Sequence, residues 1–173
     1  MEKISMYNAT VPNFVRTLGN LKNILVKAKA WIKEKKIDEP TLLGARLALD
    51  QFSLVKQVQV ASDNAKGTAV RLIGAEPPAF EDSEQTLAAL VERIEKTIVF
   101  LETLTPEQFA GSEERRITLK YFPGKYLLGL DYLNGYGLPN FYFHMTTAYS
   151  ILRHYGLSIG KADYIGELPF KDL

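Results

Sequence analysis

The chain has 173 residues, 46% of them hydrophobic and 24% charged, which suits one folded globular domain spanning 1–173 and excludes a disordered or fibrous chain. Its 21 Lys and Arg residues nearly cancel 20 Asp and Glu, so no whole-molecule field draws in nucleic acid. Cysteine is absent, which excludes disulfides, zinc–thiolate sites and a cysteine nucleophile, and leaves any metal to His, Asp, Glu, Asn or Gln.

The N-terminal residues Met1 to Met6 lack the basic stretch and long apolar run of a signal peptide. The apolar stretches are interrupted by Lys, Glu or Gln well before the roughly 20 residues needed to cross a bilayer. A cytoplasmic protein with no membrane partner is expected.

The first helix is the clearest element. Val11, Phe14, Leu18, Leu21, Leu25, Ala28 and Ile32 recur at alternating steps of three and four, which lines one helical face. Thr10 is the expected N-cap, Pro12 sits in the first turn, and Lys33, Lys35 and Lys36 suit the negative end of the helix dipole. After a connection containing Asp38, Pro40 and Gly44, a second helix carries Leu54, Val58, Ala61, Ala65, Thr68 and Leu72 inward and closes at Gly74. A third is expected to start near Ser83, turn Leu87, Val91, Ile94, Ile98 and Leu101 inward, and end at Thr105-Pro106.

From Arg115 to Leu128 the pattern changes. Ile117, Leu119 and Tyr121 alternate with polar residues and Pro123-Gly124 offers a turn, which predicts a small β-hairpin leaning on the helices or on another subunit. Helix four follows from Asp131, with Leu138, Phe141, Met145, Ala148 and Leu152 on one stripe and Gly156 as C-cap. Gly135, Gly137 and Pro139 predict a kink, or a delayed start to regular helix, near Leu138. The tail from Gly160 reads as an extended strap. The fold class is thus all-α, a four-helix bundle with a small β-hairpin between helices three and four.

Two polar strips run beside the apolar seams. On helix two, Gln57, Asn64 and Thr68 share nearly one face with Ala61; on helix four, Asn140 and His144 stand one turn apart. An i,i+4 pair on one helix can hold a metal with a third ligand from a facing helix, although amide oxygens are weak ligands compared with imidazole. His154 stands about 15 Å further along the helix and cannot share an ion with His144. Asp63 points roughly 100 degrees away from Asn64 and is a second-rank metal candidate beside His144. No nucleophile elbow and no phosphate-binding glycine loop occurs.

The phrases Leu49-Asp50-Gln51-Phe52, Asp63-Asn64-Ala65-Lys66-Gly67, Glu76-Pro77-Pro78 and Leu138-Pro139-Asn140-Phe141-Tyr142-Phe143-His144 resemble a bacterial family of unknown function in the DinB/YfiT-like metalloenzyme superfamily. The resemblance runs from about Thr10 to Gly166. It implies a four-helix bundle, commonly dimeric, in which one histidine from helix two and a His-x-x-x-His pair hold a divalent metal, used in some members for thiol-dependent transfer or isomerisation. It places Asn64 where relatives often carry histidine, and Asn140-x-x-x-His144 where the pair would be.

A degenerate metal site is therefore expected. The leading expectation is an uncharacterised bundle binding a small-molecule ligand in an interior pocket near Gln57, Asn64, Asn140 and His144. The alternatives are a transferase or isomerase that uses a divalent metal at His144, and a non-catalytic homodimeric interaction protein.

Overall fold

In the computed structural model, which describes residues 5–172, helix α1 spans Met6–Lys35. It begins a turn earlier than its sequence signals suggest, because Ser5 rather than Thr10 is the cap and its side chain accepts from the Asn8 amide at 3.1 Å. Thr10 is buried inside the helix and donates its hydroxyl to the Met6 carbonyl at 2.7 Å. Pro12 consequently lies within the helix and leaves the Asn8 carbonyl without its backbone donor. Asn13 compensates, its Nδ2 reaching Asn8 O at 3.3 Å and Ala9 O at 3.1 Å. The predicted apolar stripe from Val11 to Ile32 is buried throughout.

The short helix α2, Glu39–Leu43, occupies the first connection, capped by Asp38. Helix α3, Leu54–Ile73, runs to Gly74, which adopts φ 74° and ends the helix in the left-handed region. Its interior alanines admit neighbours closely: α3 packs along α6, α4 and α1. Helix α4, Leu87–Glu102, starts at the Thr86 cap rather than near Ser83. Its inward face is also rotated from the expected one. Leu90, Arg93 and Thr97 are buried beside Leu87, Ile94 and Leu101, while Val91 and Ile98 are only half-buried.

Two 3-10 turns, Pro106–Phe109 and Ser112–Glu114, lead into the hairpin region. Only two residues pair on each side: β1, Arg116–Ile117, runs antiparallel to β2, Leu127–Leu128. The alternation beyond Ile117 belongs to a loop in which Leu119 is buried and Tyr121 exposed. Helix α5, Gly129–Tyr132, continues through a π turn, Leu133–Gly137, into α6, Leu138–His154. The irregularity expected near Leu138 is this π turn, in which the Leu138 amide reaches back five residues to the Leu133 carbonyl. A Cβ on Gly137 would stand 2.7 Å from Thr68 Cγ2, so the glycine sets how closely this turn approaches α3.

The tail is not a plain strap. It forms a short helix, α7, Lys161–Ile165, tied to α1 by Asn20 Nδ2 donating to the Tyr164 and Ile165 carbonyls at 3.0 and 2.9 Å. The bundle consists of α1, α3, α4 and the α5–α6 helix, with α1 along α4 and α3 along α6. Among the described residues, no helix is long and apolar enough to cross a membrane.

Candidate functional site

The polar strips of α3 and α6 meet across their interface, and they meet in pairs. Asn140 Nδ2 donates to Asn64 Oδ1 at 2.9 Å, and one turn further along α6 the imidazole of His144 lies 2.6 Å from Gln57 Oε1. The Gln57 amide donates from Nε2 to the Phe52 carbonyl at 3.0 Å, which turns its oxygen towards the ring. His144 must then donate from Nδ1, and its Nε2 carries the lone pair.

Gln57 is fully buried and His144 nearly so. The Phe52 ring stacks on the imidazole with centroids 6.3 Å apart, and Phe143 meets it edge-on at 5.2 Å. Burial holds the His144 pKa below its ordinary 6.5, so the neutral ring is favoured at pH 7. Asn64 Nδ2 is buried without a hydrogen-bond partner among the described residues.

Asp63 does not join this seam. Its Oδ1 faces α4, where Arg93 Nη2 lies at 2.8 Å, and also takes Lys66 Nζ, one turn further along α3, at 3.0 Å. Arg93 is 2% exposed and is a hub: it also bonds Glu84 at 3.0 Å, Asp82 at 3.0 Å and the Glu81 carbonyl at 3.0 Å. Lys66, equally buried, donates to the Pro78 carbonyl at 2.9 Å and sits over the Phe80 ring. Together they pin the loop between α3 and α4. Sequence reasoning missed this hub, although its trace was there: the acids Asp63, Asp82 and Glu84 gather around a cation at an inward position of α4.

His154 is exposed in the last turn of α6. Among the described residues, no group of three or more His, Cys, Asp or Glu side chains is arranged to hold a metal ion. Four cavities, at the hairpin and at the loop before α4, are lined by other residues.

A family model described as a domain of unknown function, DUF1993, matches residues 6–165. The chain belongs to the DUF1993 family. This DUF1993 chain is also similar to the crystal structure of a DinB family member protein from Shewanella denitrificans, with 44% identity and a TM-score of 0.94, covering 97% of this chain and 96% of that one. None of the curated proteins matches it. The DUF1993 chain is therefore an all-α, DinB-like bundle, and the family's description assigns it no reaction.

Proposed function

We propose that this DUF1993 protein is a cytoplasmic, non-catalytic DinB-like bundle with a degenerate metal site, whose former ligand positions act as a polar lock between α3 and α6. The observation that supports this reading is the closure of the polar residues on one another, Asn140 on Asn64 and His144 on Gln57. Amides that bond across two helices select one helix register, and although Asn64 Nδ2 has no partner among the described residues, the oxygens of Asn64 and Gln57 are already engaged.

The donor set does not fit a tightly held divalent cation. Of the groups at the seam only His144 Nε2 is a strong donor; the rest are amides, neutral and weakly basic, and no carboxylate joins them. The one nearby acid, Asp63, is held by Arg93 and Lys66. A shared fold does not carry chemistry with it when the site differs.

One observation favours the rival reading of a metal-dependent transferase or isomerase. A histidine whose Nδ1 donates to an oxygen while Nε2 keeps its lone pair is the arrangement of supported metal ligands. The two readings part on metal content. Untagged protein incubated with zinc, nickel, manganese or iron and then dialysed is expected to retain far less than one equivalent, and His144→Ala to leave that unchanged. In the same variant Gln57 Oε1 loses its buried partner, which is expected to cost about 1–3 kcal/mol in urea unfolding. Near-stoichiometric retention of one metal, lost in His144→Ala, would overturn the lock and restore the enzyme reading.

A homodimer belongs to the proposal as well. Phe52 and Phe143 flank His144 yet are 51% and 54% exposed, and Leu49 nearby in sequence is 96% exposed, an apolar group that a second copy would cover. Sedimentation velocity at micromolar concentration is expected to give a dimer, and Phe143→Ser a monomer. A monomeric wild type removes this part of the proposal.

A further inference from the structure

Away from the seam, positive charge converges on one concave place. A cavity of about 800 Å³ lies between the C-terminal end of α3 and the loop joining β1 to β2. Its lining includes Arg71, Arg115, Arg116, Lys120 and Lys125 against the single carboxylate of Glu76. The whole chain carries a formal charge of only +1, so this clustering is local. None of those five cations forms an ion pair with a carboxylate among the described residues.

Two of the guanidinium groups are held in place. Arg115 Nε donates to the Leu72 carbonyl at 2.9 Å, which leaves its two terminal nitrogens free to face the cavity. Gly74 permits this, because a Cβ there would collide with the Arg115 guanidinium. The Arg116 guanidinium lies 4.7 Å from the centre of the Tyr126 ring, in cation–π contact. A positioned guanidinium fork loses little freedom on bonding an anion and matches phosphate oxygens bidentately.

Apart from Thr118, the rest of the lining is glycine, apolar or aromatic. Ile117, Leu119, Phe122 and Tyr126 line this cavity and also a second of about 340 Å³, which continues past Leu127 to Tyr136 with Asp131 as its one acid. Concave walls with a large apolar share beside a few converging charges are the features of a small-molecule site.

The geometry points to a binding site for an organic phosphate: the phosphate on Arg115, Arg116 and the two lysines, its apolar or aromatic body along Phe122, Tyr126 and the neighbouring cavity. A phosphate monoester carries close to two charges near neutral pH, and five cations facing one acid favour it over a carboxylate.

The test titrates the full chain with octyl phosphate, below the concentration at which it forms micelles, by isothermal titration calorimetry. Saturable one-to-one binding is expected, with octanoate, octanol and inorganic phosphate each at least about tenfold weaker. Arg115→Gln/Arg116→Gln is expected to weaken octyl phosphate by at least about tenfold. Because Arg115 also bonds the end of α3, Lys120→Gln/Lys125→Gln provides a second variant whose replaced side chains make no hydrogen bond among the described residues; the same direction of loss is expected.

Failure of octyl phosphate to bind, or unchanged affinity in the folded variants, overturns the site. Equal affinity for octanoate overturns the phosphate assignment, and equal affinity for inorganic phosphate overturns the role of the apolar walls. Binding to phosphatidylglycerol vesicles without binding of free octyl phosphate would replace the small-molecule site with a membrane-facing surface.

Discussion

Replacing Arg93 with methionine is expected to destabilise the protein by about 3 kcal/mol, read as a lower urea midpoint with an unchanged slope. Methionine keeps the length and apolar character of the stem but removes the charge that faces Asp63, Asp82 and Glu84. The loss falls at the low end for a broken buried pair because Asp63 and Asp82 keep side-chain exposures of 43% and 37% and can turn to water; Glu84, at 11%, cannot do so readily. Lys66 stays beside Asp63 in the variant. A change below about 1 kcal/mol would mean that Lys66 alone holds the loop, and would remove Arg93 from the centre of the cluster.

The same hub predicts a pH dependence. Burial pushes the Asp82 carboxyl up, but the hydrogen bond from Lys56 and the charge of Arg93 outweigh it and hold the group below its ordinary 3.8. At Glu84 burial also acts upward and is outweighed by the bonds from Gln59 and Arg93, leaving it below 4.5. Groups with lowered folded pKa values contribute stability that is complete above the unfolded values and is lost as pH falls through the folded ones. The wild type should therefore lose stability as pH drops through 4.5 and 3.8 and below, and Arg93→Met should lose less over that range. Parallel acid profiles for the two proteins would contradict the assignment.

The second large effect is expected at Gly129. The first residue of α5 packs its backbone directly onto the 3-10 turn at Ser112. A Cβ there would collide with the Ser112 carbonyl oxygen and stand 2.9 Å from its carbon and 3.3 Å from Leu72 Cδ2. Because the clash is with backbone, no rotamer relieves it, and either α5 or the turn must move. Gly129→Ala is expected to cost about 3 kcal/mol, a fall in melting temperature of roughly 6–12 °C for a chain of this size. Gly135→Ala is the matched control: a Cβ at that position meets nothing within 4 Å, and the change should be neutral or slightly stabilising. Equal melting temperatures for the two variants would show that the α5 contact is softer than its geometry implies.

These two sites also mark where local pattern stops being informative. Helices α1 and α3 were legible from the chain, because apolar spacing, a capping glycine and a lysine-rich end are all short-range signals that act within a few residues. So were the strips carrying Gln57, Asn64, Asn140 and His144, and the irregularity before Leu138. The hairpin was legible only in part: alternation near Ile117 and Leu119 is the same for a long ladder as for a loop with two paired residues per strand, and the extent of pairing depends on what the loop packs against.

Amino-acid order by itself determined that the chain forms long amphipathic helices with polar residues on their inner edges, and its phrases carried the resemblance to a family of unknown function in the DinB/YfiT-like superfamily, since both are written in local spacing and residue identity. Tertiary structure alone decided how each helix is turned about its axis. Residues advance roughly 100 degrees per step, so neighbouring stripes of a helix compete for the core and only the packed partners choose between them. That choice buried Arg93 rather than Val91 in α4, turned Asp63 away from His144, and closed Asn64 on Asn140 and Gln57 on His144.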